Sequence, residues 1–222
     1  MAILRTRIKI CGLTHPRDAE AATRQGVDAI GLVFYPPSPR AVSLDQARAI
    51  CAALGPLVTP VALFVDARPA LIEAVLQALP RAVLQFHGDE SPEECQRYGR
   101  AWIKALRMSP DIDLDAELER YQGAGALLLD SYRPGVPGGT GQRFDWARVP
   151  KTLGSRLILA GGLTPENVGQ AIAQVRPAVV DVSGGVESAP GSKSPARMAD
   201  LVAAVRAADN VQGALPPEAA TR

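Results

Sequence analysis

The chain has 222 residues, 47% hydrophobic and 21% charged, with Gly 20 and Pro 19, a balance that suits one folded domain with many tight connections and excludes a disordered chain. Lys+Arg 24 against Asp+Glu 23 leaves a formal net charge of +1, so no global field draws the protein to nucleic acid or an anionic membrane, and any anion must be held by a local site. Cys11, Cys51 and Cys95 lie apart without CxxC spacing, which suggests neither a disulfide framework nor a zinc site and is consistent with a reducing compartment.

The start, Met1 to Lys9, carries Arg5, Arg7 and Lys9 with no apolar h-region. No later stretch approaches the roughly 20 apolar residues of a membrane span. The expectation is a cytoplasmic protein. A first strand is predicted over Arg7–Cys11, then a helix over Pro16–Gln25. A strand over Ala29–Phe34 leads to a helix over Leu44–Leu54 capped by Ser43, and a strand over Thr59–Val65 to a helix over Pro69–Leu79. The strand Ala82–Phe86 precedes a helix over Pro92–Gly99 capped by Ser91, with proline at the first helical position. Trp102–Leu106 and Ala126–Asp130 are strands, with a weaker helix over Asp111–Tyr121 between them and another over Asp145–Lys151 after the second. The strand Arg156–Ala160 is followed by a helix over Pro165–Val175 capped by Thr164, and the strand Val179–Val182 by a helix over Pro195–Ala207 capped by Ser194.

The eight strands are near-continuously apolar, as strands buried on both faces must be, and lack the polar alternation of a half-exposed antiparallel sheet. Strict β/α alternation leaves an open doubly wound sheet or a closed barrel, and eight repeats favour a single (β/α)8 TIM barrel over residues 1–208. Arg133–Arg143, too rich in Gly and Pro for regular structure, is expected to be a mobile loop over the barrel mouth. The tail from residue 209 to 222 has almost no apolar periodicity and is expected to be disordered.

In such a barrel the chemistry sits at the carboxyl ends of the strands, so the informative residues are the polar ones where each apolar run stops. These are Cys11, Arg40, Asp66, His87 with Asp89, Arg107, Asp130, Gly161–Gly162 and Ser183–Gly184–Gly185. The glycine loops AGGLTPENV and DVSGGVE permit close backbone approach and aim amide hydrogens outward, which suits a phosphate dianion; ordinary βα turns are the plainer reading of either loop alone. Cys11 stands apart from Cys51 and Cys95, which read as small buried hydrophobes, because it lies at the inner mouth. A thiolate there needs a cation such as Lys9 turned toward it. Asp130 ends the run ALLLD, and a carboxyl facing a thiol across the mouth is what a proton-transfer isomerisation requires. Arg40, in the proline-stiffened FYPPSPR, suits bidentate binding of a carboxylate, although a solvated loop arginine is the commoner case. His87 in QFHGDE, Lys9 and Asp181 are further candidate substrate contacts.

The blocks KICGLT, GLVFYPPSPR, LQFHGDE, LLLD, GGTG followed by FDW, LAGGLTPENV, and DVSGGVE with a following PG-K run from Lys9 to Lys193. Together they resemble the phosphoribosylanthranilate isomerase family. The resemblance implies an Amadori rearrangement of N-(5-phosphoribosyl)anthranilate to 1-(2-carboxyphenylamino)-1-deoxyribulose 5-phosphate in tryptophan biosynthesis, without metal or organic cofactor. It implies Asp130 as general acid, Cys11 as general base, Arg40 on the anthranilate carboxylate, and Gly161, Gly162, Ser183, Gly184 and Gly185 on the phosphate. The eighth-strand loop departs slightly from the family pattern, reading SGG in place of SSG.

Neighbouring readings are a barrel performing the same chemistry on an aminoimidazole ribotide, where an aspartate is expected in place of Cys11, and a noncatalytic phosphate-binding barrel, which needs no matched acid and base. The only partner expected is a small phosphorylated substrate, with neither nucleic acid nor membrane, and the assembly a monomer or a homodimer.

Overall fold

Eight parallel strands close into a barrel in chain order, β1 pairing with both β2 and β8. The computed structural model describes residues 5–131 and 144–213. The strands are β1 Arg7–Cys11, β2 Ala29–Val33, β3 Thr59–Phe64, β4 Val83–Phe86, β5 Trp102–Met108, β6 Ala126–Ser131, β7 Leu157–Leu159 and β8 Val179–Val182. The helices are α1 Pro16–Arg24, α2 Leu44–Ala52, α3 Pro69–Ala78, α4 Pro92–Gln96, α5 Leu114–Arg120, α6 Val168–Val175 and α7 Pro195–Gly213. A short antiparallel hairpin, β9 Glu187–Ala189 with β10 Ser192–Lys193, follows β8.

Alternation along each strand sorts side chains into two apolar layers. Leu84 and Phe86 point out from β4 into the main core beneath the helices, whereas Val83 points into the barrel with Val61, Ile103 and Leu128. Phe34, Phe64 and Phe86 form a row in the outer layer, at centroid separations of 5.6 and 6.2 Å. Each such ring contributes roughly 1.5–3 kcal/mol through burial, which ties three strands to the helix shell.

Ser43 and Ser91 each build a capping box, with Gln46 and Glu94 as reciprocal partners. Ser194 Oγ accepts from the Arg197 amide at the start of α7. Thr164 behaves differently. Its carbonyl closes a turn onto Asn167 and Val168, the Asn167 side chain bridges the Thr164 amide and the Gly162 carbonyl, and α6 begins only at Val168. Proline at position 165 therefore marks a turn ahead of the helix. The region of the weak Asp145–Lys151 helix holds two 3₁₀ turns, Trp146–Arg148 and Lys151–Arg156, so the outer ring is irregular there.

The C-terminal expectation needs correction. Helix α7 continues through residue 209 to Gly213, because the Asp209 carboxylate accepts from the Thr6 amide at 2.9 Å and from the Thr6 hydroxyl at 2.7 Å. A charged anchor supplies what apolar periodicity does not. The expected tail beyond residue 213 and the predicted Arg133–Arg143 loop lie outside the described residues. Asp209→Ala is expected to lower the unfolding free energy in urea by about 2 kcal/mol while kcat/KM stays unchanged; unchanged stability would mean the anchor contributes nothing.

Candidate active site

The carboxyl ends of the strands open into a cavity of about 580 Å³. Cys11, Arg40, His87, Asp130, Gly161, Gly162, Asp181, Ser183, Gly184 and Gly185 all line it. Lys9 sits deeper, 1% exposed, with its ammonium inside the barrel. Asp66, Asp89 and Arg107 serve the loops: Asp66 accepts from the Asp89 amide, and Arg107 donates to the His87 carbonyl at 3.0 Å. A smaller cleft of about 290 Å³, lined by Arg48, Cys51 and Arg81, lies on the outside between α2 and α3, away from the strand ends.

Cys11 ends β1 opposite Gly31 of β2. A Cβ at Gly31 would come within 2.5 Å of the thiol sulfur, so a side chain there would expel the Cys11 Sγ from its place. Lys9, one inward position earlier, donates to Asp181 Oδ2 at 2.8 Å, and its positive charge favours the Cys11 thiolate. Burial pushes the Cys11 thiol up, and Lys9 and Lys193 pull it down without cancelling that effect. Lys9 loses to burial as well, yet Asp181 and Cys11 keep its ammonium above the ordinary lysine value. The cation is aimed as the thiolate requires, and the resting group is nevertheless a thiol.

Asp130 ends the inward face of β6, and its Oδ1 accepts from the Ser131 amide at 2.8 Å. Burial, helped by the negative Asp181, pushes its carboxyl up to about 6 against the pull of Ser131 and Lys9. His87 Nε2 stands 3.5 Å from Asp130 Oδ2 without a hydrogen bond. Burial and the cations Arg107, Lys9 and Lys104 lower the imidazole to about 3, so His87 is neutral and the contact is not an ion pair.

Arg40 differs in one respect from the open fork expected of it. Its Nε and Nη2 donate to the two carboxylate oxygens of Glu187 at 2.8 and 2.7 Å, leaving Nη1 outside the pair. Lys193 Nζ shares Glu187 at 2.7 Å and reaches the Ser183 carbonyl at 3.2 Å. The hairpin after β8 thus supplies a carboxylate that holds Arg40 in place.

The two glycine loops lie against each other. Gly161 and Gly162 follow β7 with φ of 85° and 63°, a turn that side chains resist. Gly185, in the 3₁₀ turn Gly184–Val186, packs on the Leu163 carbonyl so closely that any Cβ would collide with it. Arg197 Nε pins the Gly185 carbonyl at 3.0 Å. A glycine-lined loop pair beside Lys193 offers backbone donors and positive charge to an anion.

Three contributors escaped the residue-level reading. Glu187 and Lys193 were visible only as letters in the last matching block, since their partners lie across the fold. Gln85 was hidden inside the apolar run VLQF, where a polar residue at an inward position was the available signal. Among the described residues, no group of three or more His, Cys, Asp or Glu is arranged to hold a metal.

The Asp130 value carries a stability consequence. The folded carboxyl binds its proton more tightly than the unfolded one near 3.8, so its burial costs stability as pH rises from about 4 to about 6, by about 3 kcal/mol. Asp130→Asn is expected to gain that amount relative to the parent between pH 4 and pH 8 in urea unfolding; an equal difference at both pH values would show an unperturbed carboxyl.

Comparison with known proteins agrees with this geometry. The family described as N-(5'phosphoribosyl)anthranilate (PRA) isomerase matches residues 8–204. The chain is 56% identical over 202 residues to N-(5'-phosphoribosyl)anthranilate isomerase from Nitrosococcus oceani, covering 91% of this chain and 98% of that protein. The phosphoribosyl anthranilate isomerase of Thermotoga maritima superposes with a TM-score of 0.82 at 37% identity, covering 91% and 99% of the two chains. A phosphoribosyl anthranilate isomerase in complex with reduced 1-(o-carboxyphenylamino)-1-deoxyribulose 5-phosphate superposes with a TM-score of 0.77 at 35% identity, covering 91% and 99%. The chain belongs to the N-(5'-phosphoribosyl)anthranilate isomerase family, the isomerases of tryptophan biosynthesis.

Proposed function

We propose that Asp130 and Cys11 are the general acid and general base of this isomerase. The phosphate of N-(5-phosphoribosyl)anthranilate is held by the loops after β7 and β8, and its carboxylate by Arg40. The observation that carries this reading is a carboxyl held near neutrality and a thiol opening from β6 and β1 into one cavity with both glycine loops. Asp130 protonates the furanose ring oxygen and the ring opens to a Schiff base. Cys11 then removes the C2 proton, and the enolamine tautomerises to the ketone. Binding the substrate at its charged groups orients C2 between acid and base, which replaces the entropy cost of an encounter. Arg40 meets the carboxylate through its Nη1 edge, where both Nη1 hydrogens and the second Nη2 hydrogen are left over by Glu187.

Between pH 6 and the raised thiol value the populated form is thiol with carboxylate. The competent form, thiolate with carboxylic acid, holds the same number of protons, so its share is constant across that window and falls on either side. Three unpaired cysteines suit a reducing cytoplasm, where we place the enzyme as a monomer or homodimer. No helix among the described residues is long and apolar enough to cross a membrane.

Purified protein given freshly generated phosphoribosylanthranilate is expected to turn it over, followed by loss of anthranilate-type fluorescence. Cys11→Ala and Asp130→Asn are each expected to lower kcat by about 10²-fold or more; full activity in the folded Cys11→Ala protein would remove the thiol from the mechanism. The profile of kcat/KM is expected to be bell-shaped, with its acid limb at about 6 and its alkaline limb above the ordinary thiol range. Absence of a limb near 6 would detach Asp130 from the rate.

A further inference from the structure

Gln85 is 0% exposed, and neither its Oε1 nor its Nε2 has a hydrogen-bond partner among the described residues. Its register neighbours on the adjoining strands are Leu63 and Ile103, which offer none. The large majority of buried side-chain polar atoms in native proteins are paired, and an unmet amide costs stability that leucine or methionine at the same place would not. Packing therefore does not account for a glutamine here.

The side chain lines the cavity that holds Cys11, His87 and Asp130, so its partner must come from the cavity. That partner has to donate to Oε1 and accept from Nε2 at once. Phosphate and carboxylate only accept, and an aromatic ring does neither, whereas two vicinal hydroxyls present one acceptor and one donor at the spacing of a carboxamide edge. We infer that Gln85 is the binding residue for the sugar hydroxyls, its Nε2 donating to the C2 oxygen and its Oε1 accepting from the C3 hydroxyl. The C2 oxygen is a hydroxyl in the substrate and a ketone in the product, and it accepts a hydrogen bond in both. The contact therefore persists through the rearrangement and turns the C2 hydrogen toward Cys11.

This rests on the substrate proposed above. The probe is reduced 1-(o-carboxyphenylamino)-1-deoxyribulose 5-phosphate, with its 3-deoxy counterpart, titrated against the parent protein and Gln85→Met. The variant is expected to bind the full analogue about 10- to 100-fold more weakly and to lose at least as much in kcat/KM. Its thermal midpoint is expected to stay level or rise, because the unmet amide is gone. The 3-deoxy analogue is expected to lose less on the substitution than the full analogue does, since only the Nε2 contact to the C2 oxygen is left to remove. Parent binding of the full analogue with equal binding by the variant would overturn this inference alone. A variant that melts lower would also overturn it, by showing a structural amide satisfied by water. Failure of the parent to bind the analogue would overturn the substrate reading as well.

Discussion

Lys9 and Asp181 stand opposite each other where the first strand pairs with the last, joined at 2.8 Å in a site almost closed to water. Breaking a buried pair of this kind costs about 3–5 kcal/mol, because the remaining charge has no water to turn to. The pair sits at the seam that closes the barrel, so β1 and β8 cannot separate without exposing it. It also lies one inward position below the cavity rim on both strands, directly beneath Cys11 and Ser183. Closure of the fold and the electrical character of the site thus depend on one interaction.

Depth then sets the protonation states above it. Burial raises the Cys11 thiol more than the Lys9 charge lowers it, and Asp181 adds to the rise. Asp130 is raised by the same burial and the same carboxylate. His87 is driven the other way, since burial and three cations all disfavour its charged form. The cavity therefore rests with a neutral thiol and a neutral imidazole around a carboxyl poised near neutral pH, and the thiolate-and-acid pair that the reaction uses differs from it by one proton moved from Cys11 to Asp130.

The rim on the β7–β8 side is organised by close approach. Gly185 lies on the Leu163 carbonyl, Asn167 ties Thr164 to Gly162, and Arg197 holds Gly185 from outside. Glu187 couples this rim to the far loop by gripping Arg40 and Lys193 together. Two cations around one carboxylate leave a net positive corner, fixed before any ligand arrives. Preorganised charge of this kind costs no reordering on binding.

The sequence by itself determined the order of strands and helices and the capping at Ser43 and Ser91, because these follow from apolar runs and hydrogen bonds within a few residues. It also determined which strand ends carry polar chemistry, so Cys11, Asp130, Arg40 and both glycine loops were legible before any coordinates. The turn at Thr164 and the continuation of α7 through Asp209 were not, since the first depends on Asn167 folding back and the second on Thr6 more than 200 residues away. Only the tertiary structure decided that Glu187 holds Arg40, that Lys9 pairs with Asp181 beside the thiol, and that Gln85 lines the cavity with no partner among the described residues. Those facts are set by barrel closure and register, which place residues far apart in the chain within hydrogen-bond distance and remove the water that would otherwise screen them.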